Sequence, residues 1–204
     1  SSRPESPNWD ISEWGECSKN ETHTRTVELE NNADNFMFKP QTEKSCEYTV
    51  QRNLDEMLLD ENEVEGLSKM SEQEGDYGDV DQAYAAIFES GNTNVTHIVA
   101  KPKSTSEFLA SQSREYEEDN YETSVSYVSG ADNSSAYSGV LDTKTTIEGS
   151  GYYTYESETT ILQEVLFASK YDVVHIFQAQ GEGSYGVNGV DIDSLAETAI
   201  QKTE

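Results

Sequence analysis

Carboxylates beside glycines are the side chains of this sequence whose type and spacing best suit metal binding. Asp76, Asp79 and Asp81 lie within six residues, beside Gly75 and Gly78. Alternating carboxylates on a turning backbone supply the oxygen ligands that calcium prefers. No EF-hand spacing that ends in a bidentate glutamate is present, so the alternative is a solvated acidic turn. Calcium is therefore the one cofactor that the sequence raises; otherwise we expect none.

A second acidic pair, Asp191 and Asp193, follows Gly189 near the end of the chain. It is a weaker candidate for the same ion. The alternative is that Asp191 is the N-cap of a final helix, where a side-chain oxygen accepts a hydrogen bond from the first turn.

Other candidates for chemistry are poor. His23, His97 and His175 are isolated in sequence, and without a second cysteine pair or a His-x-x-x-His motif they form no zinc signature. His97 and His175 fall in predicted strands and could meet across a sheet, although histidines satisfied in a core or on the surface are commoner. Carboxylate pairs are too abundant to single out an acid and a base.

A glycine pattern near the C-terminus, Gly181-x-Gly183-x-x-Gly186, superficially suggests a dinucleotide loop. The helix that follows begins several residues too late, and the chain ends before an acidic ribose ligand could occur. A flexible glycine loop is the simpler interpretation. No enzyme is predicted.

The N-terminal segment combines tryptophans, one arginine and both cysteines of the chain. The motif residues, in order, are Trp14, Cys17, Ser18, Thr24, Arg25, Thr26 and, after Pro40, Cys46. This order resembles a thrombospondin type-1 repeat over about residues 8–46. The resemblance implies three thin strands with almost no hydrophobic core. It further implies that Trp14 and Arg25 stack, which gains roughly 0.5–2 kcal/mol, and that Cys17 and Cys46 form the disulfide a small module needs.

The segment departs from the family pattern in two ways. Ile11 and Val27 occupy slots that often hold a further cysteine pair, so we expect an apolar pair, facing each other on neighbouring strands, to replace a second disulfide and to retain burial. Only Arg25 represents the basic ladder of the family. This weakens the implied binding of heparin-like polyanions.

Charge is the strongest compositional feature. With 13 basic and 40 acidic residues the net charge is −27, and the mean hydropathy is −0.76. The acidic residues are dispersed, which is typical of proteins from hypersaline environments, where the Debye length falls to about 3 Å near 1 M salt. An acidic surface protein from an ordinary habitat is the alternative. Nucleic acids and anionic membranes are excluded as partners, because both require a basic patch.

The chain has no apolar run long enough to be a transmembrane segment, and it begins without a signal peptide. We expect residues 1–7 to be a tether that follows a removed signal or anchor. Asn20, Asn94 and Asn133 lie in Asn-x-Ser/Thr sequons. Composition alone produces nearly as many, so these sites permit glycosylation without indicating it.

Residues 54–204 are predicted to form a second domain after the module at residues 8–47. Strands are predicted at 83–89, 95–101, 123–128, 136–141, 151–156, 164–169 and 173–179. Ser104 to Glu107 is a capping box that begins a helix, and a second helix begins near Ile192. We predict an α+β fold in which an antiparallel sheet is covered on one face by two helices.

This second domain also loosely resembles an uncharacterised domain of archaeal surface lipoproteins. There a Leu-Pro-Glu-Gly-Trp stretch precedes similar strands; here Val64-Glu65-Gly66-Leu67 stands in its place. No activity is implied by this resemblance.

Together these features predict an exported protein, extracellular or at the cell surface, that acts in adhesion, recognition or envelope assembly without catalysis. Its partner would be a protein or glycan surface, or a second copy of the chain. The alternative is a structural subunit of an extracellular polymer or surface layer, in which tyrosine-rich faces mediate self-contact, since 12 residues are tyrosine.

Overall fold

The computed structural model describes residues 6–31, 39–75, 77, 80, 82–148, 154–182 and 189–204. Backbone contacts divide the chain into two compact units, Ser1–Thr49 and Val50–Glu204. The first unit includes the predicted module, residues 8–47, and the second includes the predicted α+β domain, residues 54–204. Ser6 is one residue of the predicted tether, residues 1–7. Its carbonyl accepts a hydrogen bond of 2.8 Å from the side-chain amide of Asn31.

The first unit contains four short strands. They are β1 (Trp9–Ile11), β2 (Thr22–Thr24), β3 (Val27–Leu29) and β4 (Glu43–Ser45). β1 pairs antiparallel with β3, and β2 pairs antiparallel with β4. The Gly15 amide also donates to the Thr24 carbonyl at 2.8 Å. The segment that contains β2 and β3 is therefore hydrogen-bonded both to the preceding segment, which contains β1, and to the following segment, which contains β4.

This unit has no hydrophobic core within its described residues, where no side chain is classed as buried. The predicted disulfide is confirmed: Cys17 and Cys46 are bonded, with their Cα atoms 5.9 Å apart. A cross-link of this kind stabilises a small fold largely by restricting its unfolded chain. The covalent bond thus takes the place of a core.

The second unit is built on one seven-stranded antiparallel sheet, in the order β5-β6-β7-β11-β10-β9-β8. Its strands are β5 (Ser68–Gly75), β6 (Ala83–Ser90), β7 (Thr93–Ala100), β8 (Glu122–Ser124), β9 (Asn133–Glu148), β10 (Thr154–Lys170) and β11 (Val173–Glu182). Two-residue turns join β6 to β7 and β10 to β11. The first residue of each turn, Gly91 or Tyr171, has a positive φ, as tight hairpins require.

The sheet confirms the predicted antiparallel arrangement but corrects two details. β5 was not predicted as a strand, because this edge strand is polar and mostly exposed and so lacks a hydrophobic alternation. The strands predicted at 136–141 and 164–169, with residues 154–156 of the strand predicted at 151–156, lie on two long strands, β9 and β10, which pair continuously from Asn133↔Ser169 to Glu148↔Thr154. Residues 151–153 lie outside the described residues.

Both predicted α-helices are present. α1 (Thr105–Glu118) begins at Ser104, whose side chain accepts from the Glu107 amide. α2 (Ile192–Thr203) begins at Asp191, whose side chain accepts from the Ser194 amide.

The two helices do not cover one face of the sheet as predicted; they lie on opposite faces. Phe108 and Tyr116 of α1 contact Phe167 on β10. Thr203 of α2 is hydrogen-bonded to His175, which is paired with Ala168, the residue after Phe167. Successive residues of a strand point to opposite faces, so the helices are separated by the sheet. Hairpin patterns fix which strands are neighbours but not which face a helix covers.

The central strands are buried on both faces. On the α1 face the core residues are Val80, Ala83, Ile98, Ala100, Tyr137, Val165, Phe167, Val174 and Ile176. Residues 50–67 and α2 contribute to the other core, where Met57 and Leu59 are fully buried. This double burial explains the nearly continuous apolar run of β11, Val173–Phe177, broken only by His175. None of the described helices is long and apolar enough to cross a membrane.

Candidate functional site

Trp14 is the centre of a cation–π cluster in the first unit. The Arg25 guanidinium carbon lies 4.2 Å from the ring centroid, the contact expected from the sequence, and the Lys44 ammonium lies 4.7 Å from it. Arg25 Nε also donates to the Gln41 carbonyl at 2.7 Å, which holds the guanidinium in place. Lys44 was missed because its position depends on the pairing of β4 with β2.

The disulfide is accompanied by a histidine. A ring nitrogen of His23 and the Sγ atoms of Cys17 and Cys46 all lie within 4.8 Å of one another, and the three side chains are half-buried. His23 Nδ1 lies 2.6 Å from the Gly15 carbonyl oxygen. A carbonyl only accepts, so Nδ1 carries the proton and Nε2 keeps its lone pair. While the two sulfurs are bonded to each other, the cluster has no thiolate to offer.

The predicted apolar pair is only partly realised. Ile11 and Val27 are direct partners in the β1–β3 register. The neighbouring pair, Ser12 and Thr26, is joined by a backbone hydrogen bond of 3.1 Å, so Ile11 and Val27 form the closer, non-hydrogen-bonded type of pair. Ile11 is nevertheless 42% exposed. The expected burial is therefore wrong for Ile11, because this thin unit has no layer to cover it.

The candidate calcium ligands Asp76, Asp79 and Asp81 lie outside the described residues. In the second acidic pair, one Asp191 oxygen caps α2 by accepting from the Ser194 amide at 3.1 Å. Asp193 accepts from the Ser126 hydroxyl at 2.6 Å. The alternative interpretation of Asp191 as an N-cap is thus confirmed.

The sequons differ in accessibility. Asn20, in a turn, and Asn133, at the start of β9, are exposed. Asn94 is half-buried in β7, where it is paired with Glu89 on one side and Gln180 on the other. Asn20 and Asn133 are therefore the more accessible acceptors for a glycan.

Two histidines meet in the core of the second unit. His97 on β7 and His175 on β11 are fully buried, and His97 Nε2 lies 3.0 Å from His175 Nδ1. The Leu59 amide donates to His97 Nδ1 at 3.1 Å. At the other end His175 Nε2 lies 2.7 Å from the Thr203 hydroxyl, which donates to the Ala199 carbonyl.

These contacts determine the proton positions in the chain of hydrogen bonds. Because the Leu59 amide is a donor, His97 Nδ1 accepts and His97 Nε2 carries the proton, which it donates to His175. His175 then donates from Nε2 to Thr203. Burial lowers the pKa of His175 to about 3, and burial, then the charges of His175, Lys202 and Lys69, hold the pKa of His97 well below its usual value. Both rings are neutral.

The pairing has a sequence signal that local analysis missed. Both histidines occupy the same four-residue pattern, Val-x-His-Ile: Val95-Thr96-His97-Ile98 and Val173-Val174-His175-Ile176. Each pattern follows a tight hairpin turn. Comparing the two hairpins with each other would have placed the histidines on equivalent strands.

An open cleft of about 840 Å³ lies near the C-terminus of α1. Tyr121 forms one wall: its hydroxyl donates to Gln163 Oε1 at 2.7 Å, and its ring lies against the backbone of Gly139. The remaining lining residues are Asp119, Asn120, Glu122, Ser138, Val140, Leu162 and Glu164. Burial, and secondarily the charge of Asp193, raise the pKa of Glu164. The cleft is suited to polar contact, but its carboxylates show no arrangement specific to catalysis.

Comparisons of the chain with protein-family models, with curated proteins and with solved structures found no match in any of the three.

Proposed function

We propose that the chain is an exported surface protein that acts in adhesion, recognition or envelope assembly without catalysing a reaction. The observation that carries the proposal is the Trp14 cluster: an indole with the cations of Arg25 and Lys44 against it, beside the Cys17–Cys46 disulfide. Among the described residues of this unit no side chain is fully buried, and Lys44 is exposed.

Two further observations support the cell exterior. Disulfides form and persist in oxidising compartments, and an acidic surface of net charge −27 suits a saline medium. The similarity of the Trp14, Arg25 and Cys17–Cys46 arrangement to a thrombospondin type-1 repeat agrees with a contact module. The partner is a protein or a glycan surface that contacts the half-buried Trp14 and Arg25 and the exposed Lys44.

A binding screen tests this proposal. The full chain, fluorescently labelled, would be applied at molar salt to a glycan array and to whole cells of the source. We expect saturable binding that is weakened in Arg25→Ala and Lys44→Ala. Lys39→Ala, which removes one charge from the same unit at an exposed position, is the matched control and should bind normally. Absence of binding to every surface, or equal loss in all three variants, would contradict the proposal.

The alternative is a subunit of an extracellular polymer, and β5 is the feature of the sheet that favours it. Within the described residues β5 (Ser68–Gly75) is an edge strand, paired with β6 and mostly exposed. An exposed edge strand is a template for strand addition by another chain. Light scattering after size exclusion at molar salt distinguishes the two functions: a polymer subunit grows in mass with concentration, and a monomer at every concentration would exclude it.

A further inference from the structure

We propose that Cys17, His23 and Cys46 form a zinc-binding site when the disulfide is reduced, so that the first unit has two alternative cross-links. The proposal concerns the reduced chain, whereas the proposed function concerns the chain with its disulfide formed. It rests on a His23 ring nitrogen that lies within 4.8 Å of both sulfurs of the disulfide, with the three residues on three different segments.

In the folded unit, backbone hydrogen bonds join these segments in addition to the disulfide. The Cys46 amide donates to the Glu21 carbonyl at 2.9 Å, and the Ser18 amide donates to the Thr22 carbonyl at 3.1 Å. His23 lies between these contacts on β2, paired with Lys44 on β4. The three ligand positions are therefore set by strand pairing, and the Cα atoms of the two cysteines, 5.9 Å apart, need not separate far.

His23 is oriented as a metal ligand. Metal-binding histidines almost always donate their second ring N–H to a carbonyl or carboxylate, which fixes the ring and the tautomer. His23 does this through Nδ1 to the Gly15 carbonyl at 2.6 Å, which leaves the Nε2 lone pair for a metal. Its carbonyl partner is part of the backbone, so we expect the orientation to return when the reduced unit refolds around the ion.

The distances require only a small adjustment. Zinc binds thiolates at about 2.3 Å and imidazole nitrogens at about 2.0–2.1 Å in a tetrahedron, which places neighbouring ligand atoms about 3.5–3.8 Å apart. The two sulfurs must move apart from bonding distance. The His23 ring, which has a nitrogen within 4.8 Å of both sulfurs, must move closer to the ion. Three protein ligands leave the fourth position to water. Two thiolates and one imidazole are donors that favour zinc over calcium or magnesium.

The chemistry balances with a trialkylphosphine as the reductant. The phosphine attacks one sulfur and the S–S bond breaks. Water then supplies the oxygen of the phosphine oxide, and the two protons of that water convert the two sulfurs into thiols. Zinc then forms two Zn–S bonds, and both thiol protons pass to solvent. Two thiolates neutralise the charge of the ion. The described residues of this unit form no hydrophobic core. We therefore expect the reduced, metal-free unit to unfold and zinc to refold it.

Cobalt(II) provides the spectroscopic test on the full chain, reduced with phosphine under anaerobic, chelator-free conditions. We expect one cobalt per chain, with a thiolate-to-cobalt charge-transfer band, tetrahedral d–d bands and displacement by zinc. Tryptophan fluorescence should report refolding, because Trp9 and Trp14, the two tryptophans of the chain, both lie in this unit. The oxidised chain should show no charge-transfer band.

Variants separate a built site from weak binding to an acidic surface. His23→Ala should lose affinity by more than the roughly 10–100-fold that is typical when an outer partner of a metal ligand is removed. His23→Cys, which replaces one ligand with another, should bind and strengthen the charge-transfer band. Glu43→Gln, exposed on β4, is the matched control and should leave binding unchanged.

Three results would overturn the proposal. They are the absence of a cobalt–thiolate band in the reduced chain, equal affinity in His23→Ala and the unmodified chain, and loss of binding in Glu43→Gln as large as in His23→Ala. The His23→Cys variant guards against a folding defect: if it is oxidised normally but binds no metal after reduction, the geometry argued for the site is wrong.

Discussion

His97 and His175 show how single residues make the stability of the second unit depend on pH. Their rings are neutral because the chain of hydrogen bonds from Leu59 to Thr203 uses one donor and one acceptor on each ring. A second proton on either ring would place two donors against each other or against the Leu59 amide, in a site without water access. Protonation and the native hydrogen bonds are therefore incompatible.

The first prediction follows from this. In the unfolded chain each histidine takes up a proton below about pH 6.5, whereas in the folded chain the pKa of His175 is about 3. Between these values the unfolded chain binds an additional proton at His175, so stability falls as pH falls, by about 1.4 kcal/mol per pH unit for this histidine. The lowered pKa of His97 acts in the same direction. His175→Gln should lower this slope of unfolding free energy against pH by about 1.4 kcal/mol per pH unit. Urea unfolding at several pH values from about 7 to about 4 measures the slope.

The comparison with the variant is necessary because acid also relieves the repulsion among carboxylates, which acts in the opposite direction and is common to both proteins. Equal slopes for His175→Gln and the unmodified chain would show that the buried pair does not govern the acid response.

Gly139 gives the second prediction at the residue scale. A Cβ atom there would lie 2.6 Å from a ring carbon of Tyr121, so Gly139→Ala must displace the wall of the cleft. We expect a loss of about 1–3 kcal/mol, the usual cost of overpacking. Gly75→Ala is the control, because a Cβ in that strand meets nothing within 4 Å. Urea unfolding should detect the difference; equal stabilities would mean that Tyr121 moves aside freely.

At the scale of elements, β1 and β3 are held together by backbone hydrogen bonds in a fixed register rather than by buried side chains. Ile11 and Val27 are a non-hydrogen-bonded pair, whose side chains lie closer together than those of the hydrogen-bonded pair Asp10 and Glu28. Disulfides need Cβ atoms about 3.5–4.5 Å apart. The pair Ile11 and Val27 is therefore better suited to a new disulfide than the pair Asp10 and Glu28.

We predict that Ile11→Cys with Val27→Cys forms a second disulfide spontaneously in air and raises the unfolding temperature of the first unit, followed by tryptophan fluorescence. Asp10→Cys with Glu28→Cys is the matched control and should oxidise less completely. Thiol titration of the unfolded, unreduced proteins measures both. Free thiols at positions 11 and 27 after oxidation would indicate that the register is wrong.

At the scale of the whole molecule, charge dominates. A net charge of −27 is concentrated when the chain folds, so self-repulsion opposes the compact state and weakens as salt screens it. The few ion pairs described, such as Lys101 with Asp172 at 2.9 Å, involve a small part of the acidic residues.

The corresponding prediction is that the thermal midpoint rises steeply between low and molar salt, and nearly equally in KCl and NaCl, because screening is not specific to the ion. Differential scanning calorimetry with and without millimolar calcium separates screening from a specific site at Asp76, Asp79 and Asp81. A midpoint that is flat in salt but rises on calcium would replace the saline interpretation with a metal site.

The sequence by itself determined where the two α-helices begin and which residues form the covalent cross-link. Ser104 and Asp191 mark helix starts because capping depends on residues only a few positions apart. The pairing of Cys17 with Cys46 had no competitor, since the chain has two cysteines. The thrombospondin-like order of the first unit also led to the contact of Arg25 with Trp14.

Only the tertiary structure decided which of these elements meet. His97 and His175 are 78 residues apart, and they touch because β7 and β11 are neighbours in the centre of the sheet. The same pairing separates α1 from α2 by placing them on opposite faces, and the pairing of β2 with β4 brings Lys44 to Trp14 and His23 to the disulfide. Local sequence patterns encode periodicity and turns. The order of the strands and the face of the sheet that each helix covers depend instead on how the whole chain buries its apolar residues.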